Sequence, residues 1–215
     1  MVIDGGSTDG TIEILSHYAN RIAVLVSERD AGIYDALNKG IQRASGDVVG
    51  FLHSDDFFAD SSVLSRIAAA FSDPVVDTVY GDLVYVRRDD PDKVVRYWRA
   101  GTFSRARLGW GWMPPHPTFY VRRSVYKRLG GFDTRYPIAA DYDTVLRFLG
   151  QANLRAAYIS EVLVKMRLGG VSNRSLGNIL RKSKEDYLVL RRNGIGGLGA
   201  VVWKNLSKVG QFLAR

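Results

Sequence analysis

The chain has 215 residues, of which 46% are hydrophobic, and it contains no cysteine. This length and composition suit one α/β domain with a tail. Without cysteine, disulfides, thiolate metal sites and a thiol nucleophile are excluded. No run approaches the roughly 18 uninterrupted apolar residues that span a bilayer. We also find no apolar signal segment. We therefore expect a cytoplasmic protein whose membrane contact, if any, is peripheral, at the inner face of the cell membrane.

The formal net charge of +8 hides an asymmetry between two parts of the chain. Residues 1–86 hold 13 acidic and 5 basic residues, whereas residues 87–215 hold 25 basic and 9 acidic ones. An acidic half suits a bound cation, and a basic half suits phosphates or an anionic membrane. Nucleic acid is the rival partner for a basic half, but no zinc finger or RNA-recognition signature is present. We expect no nucleic-acid binding.

The first element reads as a strand that ends at Asp4, followed by a glycine-rich turn and a helix. The apolar residues of this helix, at Ile12, Leu15 and Tyr18, recur at helical spacing. Asp4 at the strand tip is placed to accept hydrogen bonds from a nucleoside base or ribose. A turn with a helix cap explains the glycines equally well but leaves Asp4 without a role.

A second strand is predicted at residues 22–26, and the helix after it begins near Gly32. A third strand, at residues 48–52, is apolar enough to be buried on both faces and stops at Asp55 and Asp56. Ligands of parallel sheets bind beyond the carboxyl ends of the strands. Two adjacent carboxylates at that point suit a divalent cation that holds a phosphate. The alternative is a cap for the helix predicted from Asp60.

The remaining elements alternate between strands and helices. Strands are predicted at residues 76–80 and 83–87 around Gly81 and Asp82, then at 93–98 and 117–121, and residues 154–168 carry another apolar run. Helices are predicted at 124–129, then with Asp141 and Asp143 in the first turn, and later as a basic helix of about 18 residues. The last helix places Leu198, Val202, Leu206, Val209 and Leu213 opposite Lys204, Lys208, Gln211 and Arg215. Its apolar stripe either packs on the domain or lies on an anionic membrane.

Six motifs in order resemble the family 2 glycosyltransferases of the GT-A fold, particularly bacterial enzymes of surface polysaccharide synthesis. They are VIDGGSTDGT, SERDAGIYDALNKGI, ASGDVVGFLHSDD, HPTFYVRR, LGGFD and ADYDTVLRF. The resemblance implies an α/β fold with a mostly parallel sheet flanked by helices, an antiparallel addition and a helical C-terminal extension. It covers residues 1–172, and residues 173–215 form the basic extension.

The resemblance also implies a role for each matching residue in inverting sugar transfer from a nucleotide-sugar donor to a saccharide or lipid-linked acceptor. Asp141 is the expected base, although Asp143 stays open as an alternative. Asp56 is the expected ligand of Mg²⁺ or Mn²⁺. His116 either contacts the acceptor or the metal-bound diphosphate, or is structural. The expected donor-binding residues are Asp4, Asp30, Gly32, Tyr34, Asp35 and Asp55.

The sequence departs from the family pattern in two places. Ala140 stands where many members have the glutamate of a Glu-Asp pair. A strand-helix unit of about 30 residues is expected before Met1 and is absent, so we expect this chain alone to be poorly stable and nearly inactive. Two other interpretations remain, an inactive fragment or binding scaffold and, less favoured, a nucleotidyltransferase.

Overall fold

The computed structural model describes residues 1–152, 154–168 and 176–207. The strands are β1 Val2–Asp4, β2 Leu25–Ser27, β3 Val48–Val49, β4 Asp56–Phe58, β5 Thr78–Val86, β6 Val94–Trp98, β7 Tyr120–Arg122 and β8 Ala156–Arg167. The helices are α1 Thr11–Ser16, α2 Ile33–Arg43, α3 Val63–Ala70, α4 Arg105–Leu108, α5 Arg123–Leu129, α6 Ala140–Val145, α7 Leu176–Arg192 and α8 Leu198–Leu206. A π-helical segment, Leu146–Gln151, continues α6.

The described strands form two sheets. β1 and β2 pair in parallel as a two-stranded sheet, and the other six form a sheet whose main path is β3-β7-β5-β8-β4, with β6 also paired to β5. β5 is the centre of the larger sheet because it pairs with β6, β7 and β8. Helix α3 covers one part of this sheet with Val63, Ile67 and Phe71. Helix α6 and the C-terminal helices contribute to a second core cluster.

The expected α/β fold class is confirmed, but the sheet is mixed where a mostly parallel one was expected. Of the six strand pairings among the described residues, β1–β2 and β5–β8 are parallel and the other four are antiparallel. Apolar patterning identifies buried strands but carries little information about the direction of their neighbours. The tertiary arrangement therefore decided strand direction.

Residues 76–80 and 83–87 are parts of one strand, which corrects the prediction of two strands around Gly81 and Asp82. Gly81 is not a turn residue: a Cβ atom there would lie 2.5 Å from Leu163 Cγ on β8. Asp82 is 2% exposed and accepts hydrogen bonds from Tyr97, Tyr158 and the backbone amide of Ala100. Residues typical of turns are therefore used here for close strand packing and for a buried polar hub.

The predicted third strand is shorter than expected and pairs differently. β3 covers only Val48–Val49 and is antiparallel to β7. At Gly50 a Cβ atom would lie 2.1 Å from the ring of Tyr120, so the chain passes too close to β7 for any larger residue. Asp56 does not lie in a loop beyond that strand, as predicted, but is the first residue of β4, opposite Met166 of β8.

The last helix presents the opposite face to the one expected for packing on the domain. Ala200, Val201 and Lys204 are buried, whereas Leu198 is 69% exposed and Leu206 is 58% exposed. Lys204 Nζ lies 2.8 Å from Asp186 Oδ1 on α7, so an ion pair draws the lysine inward. The other residues predicted for this helix, Val209, Leu213, Lys208, Gln211 and Arg215, lie outside the described residues.

The expectation of a missing strand-helix unit before Met1 stays a prediction. The same holds for the division of the chain at residue 172.

Gly81→Ala should destabilise the fold because its Cβ would overlap Leu163 inside the central β5–β8 pair. Overpacking of this kind costs about 1–3 kcal/mol. The matched control is Gly199→Ala on α8, where an added Cβ would meet no atom within 4 Å outside its own helix backbone and alanine favours helix. Thermal unfolding should show a lower melting temperature for the first variant only. Equal melting temperatures would contradict the tight β5–β8 packing.

Candidate active site

The carboxylate of Asp4 organises the turn after β1. Oδ2 accepts hydrogen bonds from the amides of Gly6 and Ser7, each at 3.0 Å, and from Ser27 Oγ at 2.7 Å. Oδ1 accepts one from Ser7 Oγ at 2.5 Å. These donors, led by the Ser7 hydroxyl, lower the pKa of Asp4 to about 2. The turn thus explains Asp4 structurally, and Oδ1 retains a lone pair that a nucleoside N–H can use.

The loop before α2 lies directly against this turn. A Cβ on Gly5 would lie 2.5 Å from Asp30 Oδ2, so the Asp30 carboxylate packs on the Gly5 backbone. Asp30 Oδ1 accepts the Gly32 amide at 3.0 Å, and Gly32 has φ 122° at the start of α2. Asp35 accepts the Ala31 amide, which lowers the pKa of that exposed carboxyl. Most of the expected donor-binding residues therefore share one surface.

Tyr34 links α2 to the expected base. Its hydroxyl lies 3.1 Å from Asp141 Oδ1 and 2.9 Å from the carbonyl oxygen of Ile138, so one proton is shared between two acceptors. Burial raises the pKa of Tyr34, which keeps the hydroxyl protonated. Tyr34, Phe132 and Ala140 form a small apolar cluster at the start of α6. The donor-segment motif and the base motif, 107 residues apart, are thus joined by a hydrogen bond.

Asp141 and Asp143 differ in what already occupies their carboxylates. Asp143 is 1% exposed and accepts hydrogen bonds from Arg147 Nε at 2.7 Å and Asn193 Nδ2 at 3.0 Å. Asp141 is partly exposed, and its Oδ1 accepts the Tyr34 hydroxyl and the Tyr142 amide. Within the described residues, its Oδ2 accepts no hydrogen bond. Asp141 therefore has an oxygen available for a substrate proton, whereas both Asp143 oxygens are occupied.

Asp56 is the exception among the buried carboxylates of the described chain. Asp4, Asp82, Asp143, Glu185 and Asp186 all have hydrogen-bond or ionic partners, whereas neither oxygen of Asp56 has a partner in the described residues. Burial, followed by the charge of Asp55, raises the pKa of Asp56 to about 7. Both oxygens are shielded from solvent. Asp55 beside it is exposed.

Two histidines lie close to these carboxylates. The rings of His116 and His53 are 5.9 Å apart, and His116 also packs on Phe51 and Phe132. Burial lowers the pKa of His116 to about 4 and lowers that of His53, while the charge of Asp141 opposes both shifts. Both rings are therefore neutral near pH 7. His53 is not among the residues predicted from the motifs, although its position two residues before Asp55 could have suggested it.

Comparison with known proteins identifies the family. The family model described as glycosyl transferase family 2 matches residues 1–130, so the chain belongs to that family. An uncharacterized glycosyltransferase of Mycobacterium tuberculosis is 35% identical over 156 residues, which are 68% of this chain and 55% of that protein. The PGL/p-HBAD biosynthesis glycosyltransferase of the same species is 29% identical over 80% of this chain and 67% of its own length.

A third relative is the O-antigen chain rhamnosyltransferase WbaN of Salmonella anatum, 30% identical over 77% of this chain and 55% of that protein. The chain thus spans about half to two thirds of the length of these relatives.

Solved structures show the same GT-A fold. TarS of S. aureus matches 89% of this chain and 32% of its own chain, with a TM-score of 0.63 and 19% identity. The mannosyltransferase PcManGT of Pyrobaculum calidifontis, solved in complex with GDP-Man and Mn²⁺, matches 98% of this chain and 61% of its own. Its TM-score is 0.63 at 20% identity. At these identities the likeness concerns the fold alone.

Proposed function

We propose that this chain transfers a sugar from a nucleotide-sugar donor to a hydroxyl acceptor with inversion, in polysaccharide or glycolipid synthesis. The observation that carries the proposal is the hydrogen bond between Tyr34 of the donor segment and Asp141. It joins a carboxylate with one unoccupied oxygen to α2, the helix that begins directly after Asp30 and Gly32. Family membership supports the same assignment, and TarS was also solved in complex with UDP-GlcNAc.

In the proposed reaction Asp141 Oδ2 accepts the proton of the acceptor hydroxyl. The hydroxyl oxygen forms a bond to the anomeric carbon while the bond from that carbon to the nucleoside diphosphate breaks. One displacement on the opposite face inverts the configuration. The Tyr34 hydroxyl is hydrogen-bonded to Oδ1 during this step. Because the pKa of Tyr34 is raised, Tyr34 stays protonated and Asp141 is the group that takes the proton. His116, neutral near pH 7, is proposed as a contact of the acceptor or the diphosphate.

Asp56 is proposed as the protein ligand of Mg²⁺ or Mn²⁺. Its unpartnered oxygens fit that role, because buried carboxylates otherwise have partners. The described residues contain no group of three or more His, Asp or Glu able to hold a metal. Asp56 would then hold the cation together with ligands from outside the described residues, for which we propose the donor diphosphate. A bound cation supplies positive charge that stabilises the leaving nucleoside diphosphate.

Peripheral membrane contact is proposed for a surface that we call the α8 apolar face. Trp110 and Trp203 pack edge-to-face at 6.1 Å and are 63% and 53% exposed, and Leu198, Val202 and Leu206 extend the same surface along α8. In the sequence, Trp110 and α8 lie within residues 93–132 and 187–215, which contain no acidic residue. Exposed tryptophans in stretches of sequence that lack acidic residues suit an anionic bilayer surface. Among the described helices, none is long and apolar enough to cross a membrane.

Asp141→Asn should lower turnover by roughly 10²- to 10⁴-fold, because the amide keeps the size of the side chain but cannot accept the proton. Donor binding should be retained. The variant Asp143→Asn is the comparison: it should reduce stability through its Arg147 and Asn193 contacts. Turnover and melting temperature are measured on both. If Asp143→Asn is the variant that loses turnover without loss of stability, the base is assigned wrongly.

Asp56→Ala should abolish transfer and weaken nucleotide binding in the presence of Mn²⁺. Its melting temperature should not fall, because the substitution removes a buried carboxylate that has no partner among the described residues. Calorimetric titration of the nucleotide with and without Mn²⁺ measures the loss. The control is Asp89→Ala, which removes an exposed carboxylate paired with Arg87 in the turn between β5 and β6. Unchanged Mn²⁺-dependent binding in Asp56→Ala would remove the metal assignment.

The double variant Leu198→Gln/Val202→Gln should co-sediment less than the parent chain with vesicles of phosphatidylcholine and phosphatidylglycerol. The single variant Leu64→Gln on α3, which is 56% exposed in the acidic half of the chain, is the control and should bind like the parent. Vesicles of phosphatidylcholine alone should bind less of all three. Equal vesicle binding by the parent and the double variant, with and without phosphatidylglycerol, would argue against membrane contact. Dimers that form with rising protein concentration would indicate that a second copy of the chain covers the α8 apolar face instead.

A further inference from the structure

Glu185, on α7, reaches back to the start of the helix that carries Asp141. It is 6% exposed, and its Oε2 accepts hydrogen bonds from the amides of Ile138 at 2.8 Å and Ala139 at 3.0 Å. Its Oε1 is paired with Arg181 at 3.1 Å. These contacts cross more than 40 residues of sequence, from the C-terminal part of the chain to the active-site segment.

No residue close in sequence replaces Glu185 as the acceptor for these two amides. α6 begins at Ala140, its N-cap residue is Ala139, and no side chain caps it. Backbone N–H groups at the start of a helix need acceptors, and a buried pair without one is costly. Residue 140 is an alanine and therefore has no carboxylate to offer these amides. Its side chain is fully buried in the cluster with Tyr34 and Phe132. Glu185 therefore supplies the acceptor for these two amides, and its charge adds to those of Asp141 and Asp143 within the first turn of α6.

Ile138 is held from both sides of its peptide backbone. Glu185 accepts its N–H, and Tyr34 donates to its carbonyl oxygen while also contacting Asp141 Oδ1. Glu185, Ile138, Tyr34 and Asp141 therefore form one chain of hydrogen bonds. A shift of the 138–139 backbone would move the Tyr34 hydroxyl and the Asp141 carboxylate together, because they share this anchor.

A second contact from the C-terminal helices supports the other side of Asp141. Lys204 Nζ lies 3.2 Å from the centre of the Tyr142 ring, and Tyr142 follows Asp141 directly. Lys204 is itself held by Asp186, which also pairs with Lys182. Burial lowers the pKa of Lys204 to about 8. α7 and α8 thus contact the residues on both sides of the expected base.

We propose that Glu185 is a positioning residue for Asp141, supplied by the C-terminal helices and acting through the backbone of Ile138 and Ala139. This inference rests on the proposed role of Asp141 as the base. Glu185 lies outside residues 1–130, which match the family model, and outside the six motifs that carry the family resemblance. The C-terminal helices are accordingly part of the catalytic apparatus and not an appendage to it.

The experiment compares Glu185→Ala, Glu185→Gln and Arg181→Ala in the full chain. A panel of nucleotide sugars with Mn²⁺ first selects a donor by hydrolysis rate, and that donor is then the probe. Glu185→Ala should lower kcat about 10- to 100-fold, the usual effect of losing a residue that orients a reacting group, with little change in KM for the donor. Glu185→Gln should stay close to the parent because its amide oxygen accepts both N–H groups. Arg181→Ala should also retain kcat, since Arg181 binds only the outer oxygen.

A double-mutant cycle with Asp141→Asn separates positioning from general stability. If Glu185 acts through Asp141, adding Glu185→Ala to Asp141→Asn should cause no further loss of kcat. A multiplicative loss would overturn the proposal, as would equal kcat in Glu185→Ala and the parent. If Asp141→Asn alone leaves kcat unchanged, the proposed role of Asp141 fails and the Glu185 proposal fails with it. If Asp141→Asn loses kcat but Glu185→Ala does not, only the Glu185 proposal fails.

Hydrogen exchange provides a readout that needs no activity. The amides of Ile138 and Ala139 should exchange faster in Glu185→Ala than in Glu185→Gln, while peptides of β5 and β8 stay unchanged. Faster exchange throughout the chain would mean that Glu185→Ala loosens the whole fold, and this outcome would overturn a specific positioning role.

Discussion

The β5–β8 pairing is the constraint on which the rest of the molecule depends. These two long parallel strands form the longest ladder of the described sheets, running from Thr78 opposite Ala156 to Val86 opposite Arg167. β7, β6 and β4 attach along their edges, and helix α3 packs over the same region. Asp82 fixes the ladder internally, because a buried carboxylate with three donors tolerates little displacement. Asp56 reaches its position only because β4 pairs with β8.

The buried carboxylates fall into two groups, those that stabilise the fold through partners and those whose oxygens are without partners. Asp82, Asp143 and Asp186 have their oxygens occupied by tyrosines, an amide, arginine, asparagine or lysines, and each ties two parts of the chain together. Such groups stabilise one arrangement because removing a partner leaves an uncompensated buried charge. Asp56 is different because neither of its oxygens has a partner among the described residues. The partly exposed Asp141 uses only Oδ1 for its hydrogen bonds there. Arg66 Nε and the hydroxyls of Thr78, Tyr120 and Tyr142 also lack partners among the described residues, but Asp56 is the one carboxylate in that set. A buried carboxylate without a partner marks a place where cation or substrate contacts are to be sought.

The C-terminal helices show that amphipathic spacing does not fix which face is buried. The α8 sequence has a clear apolar stripe, and helices of this kind usually bury it. Here Asp186 draws Lys204 inward and Tyr142 covers its ammonium group, so the stripe faces outward. Asp186 and the Tyr142 ring stabilise the buried lysine, and they offset part of the cost of burying its charge, since its pKa is still lowered to about 8.

The sequence by itself determined the fold class, the order of most elements and the family. Motifs such as VIDGGSTDGT and ADYDTVLRF are local: their glycines, caps and carboxylates occupy a few consecutive residues, so they can be read without knowing what packs on them. The site residues named from those motifs remain predictions, although the structure brings Asp4 close to Asp30 and Tyr34 close to Asp141.

Only the tertiary structure decided strand direction, the burial of Asp56, the inward turn of Lys204 and the contact from Glu185 to the start of α6. Each depends on a partner distant in sequence: β8 for Asp56, α7 for Lys204, and Ile138 and Ala139 for Glu185. Local patterning describes which face of an element is apolar or which residue is charged. It contains no information about which distant group satisfies that charge, and the physical outcome depends on that partner.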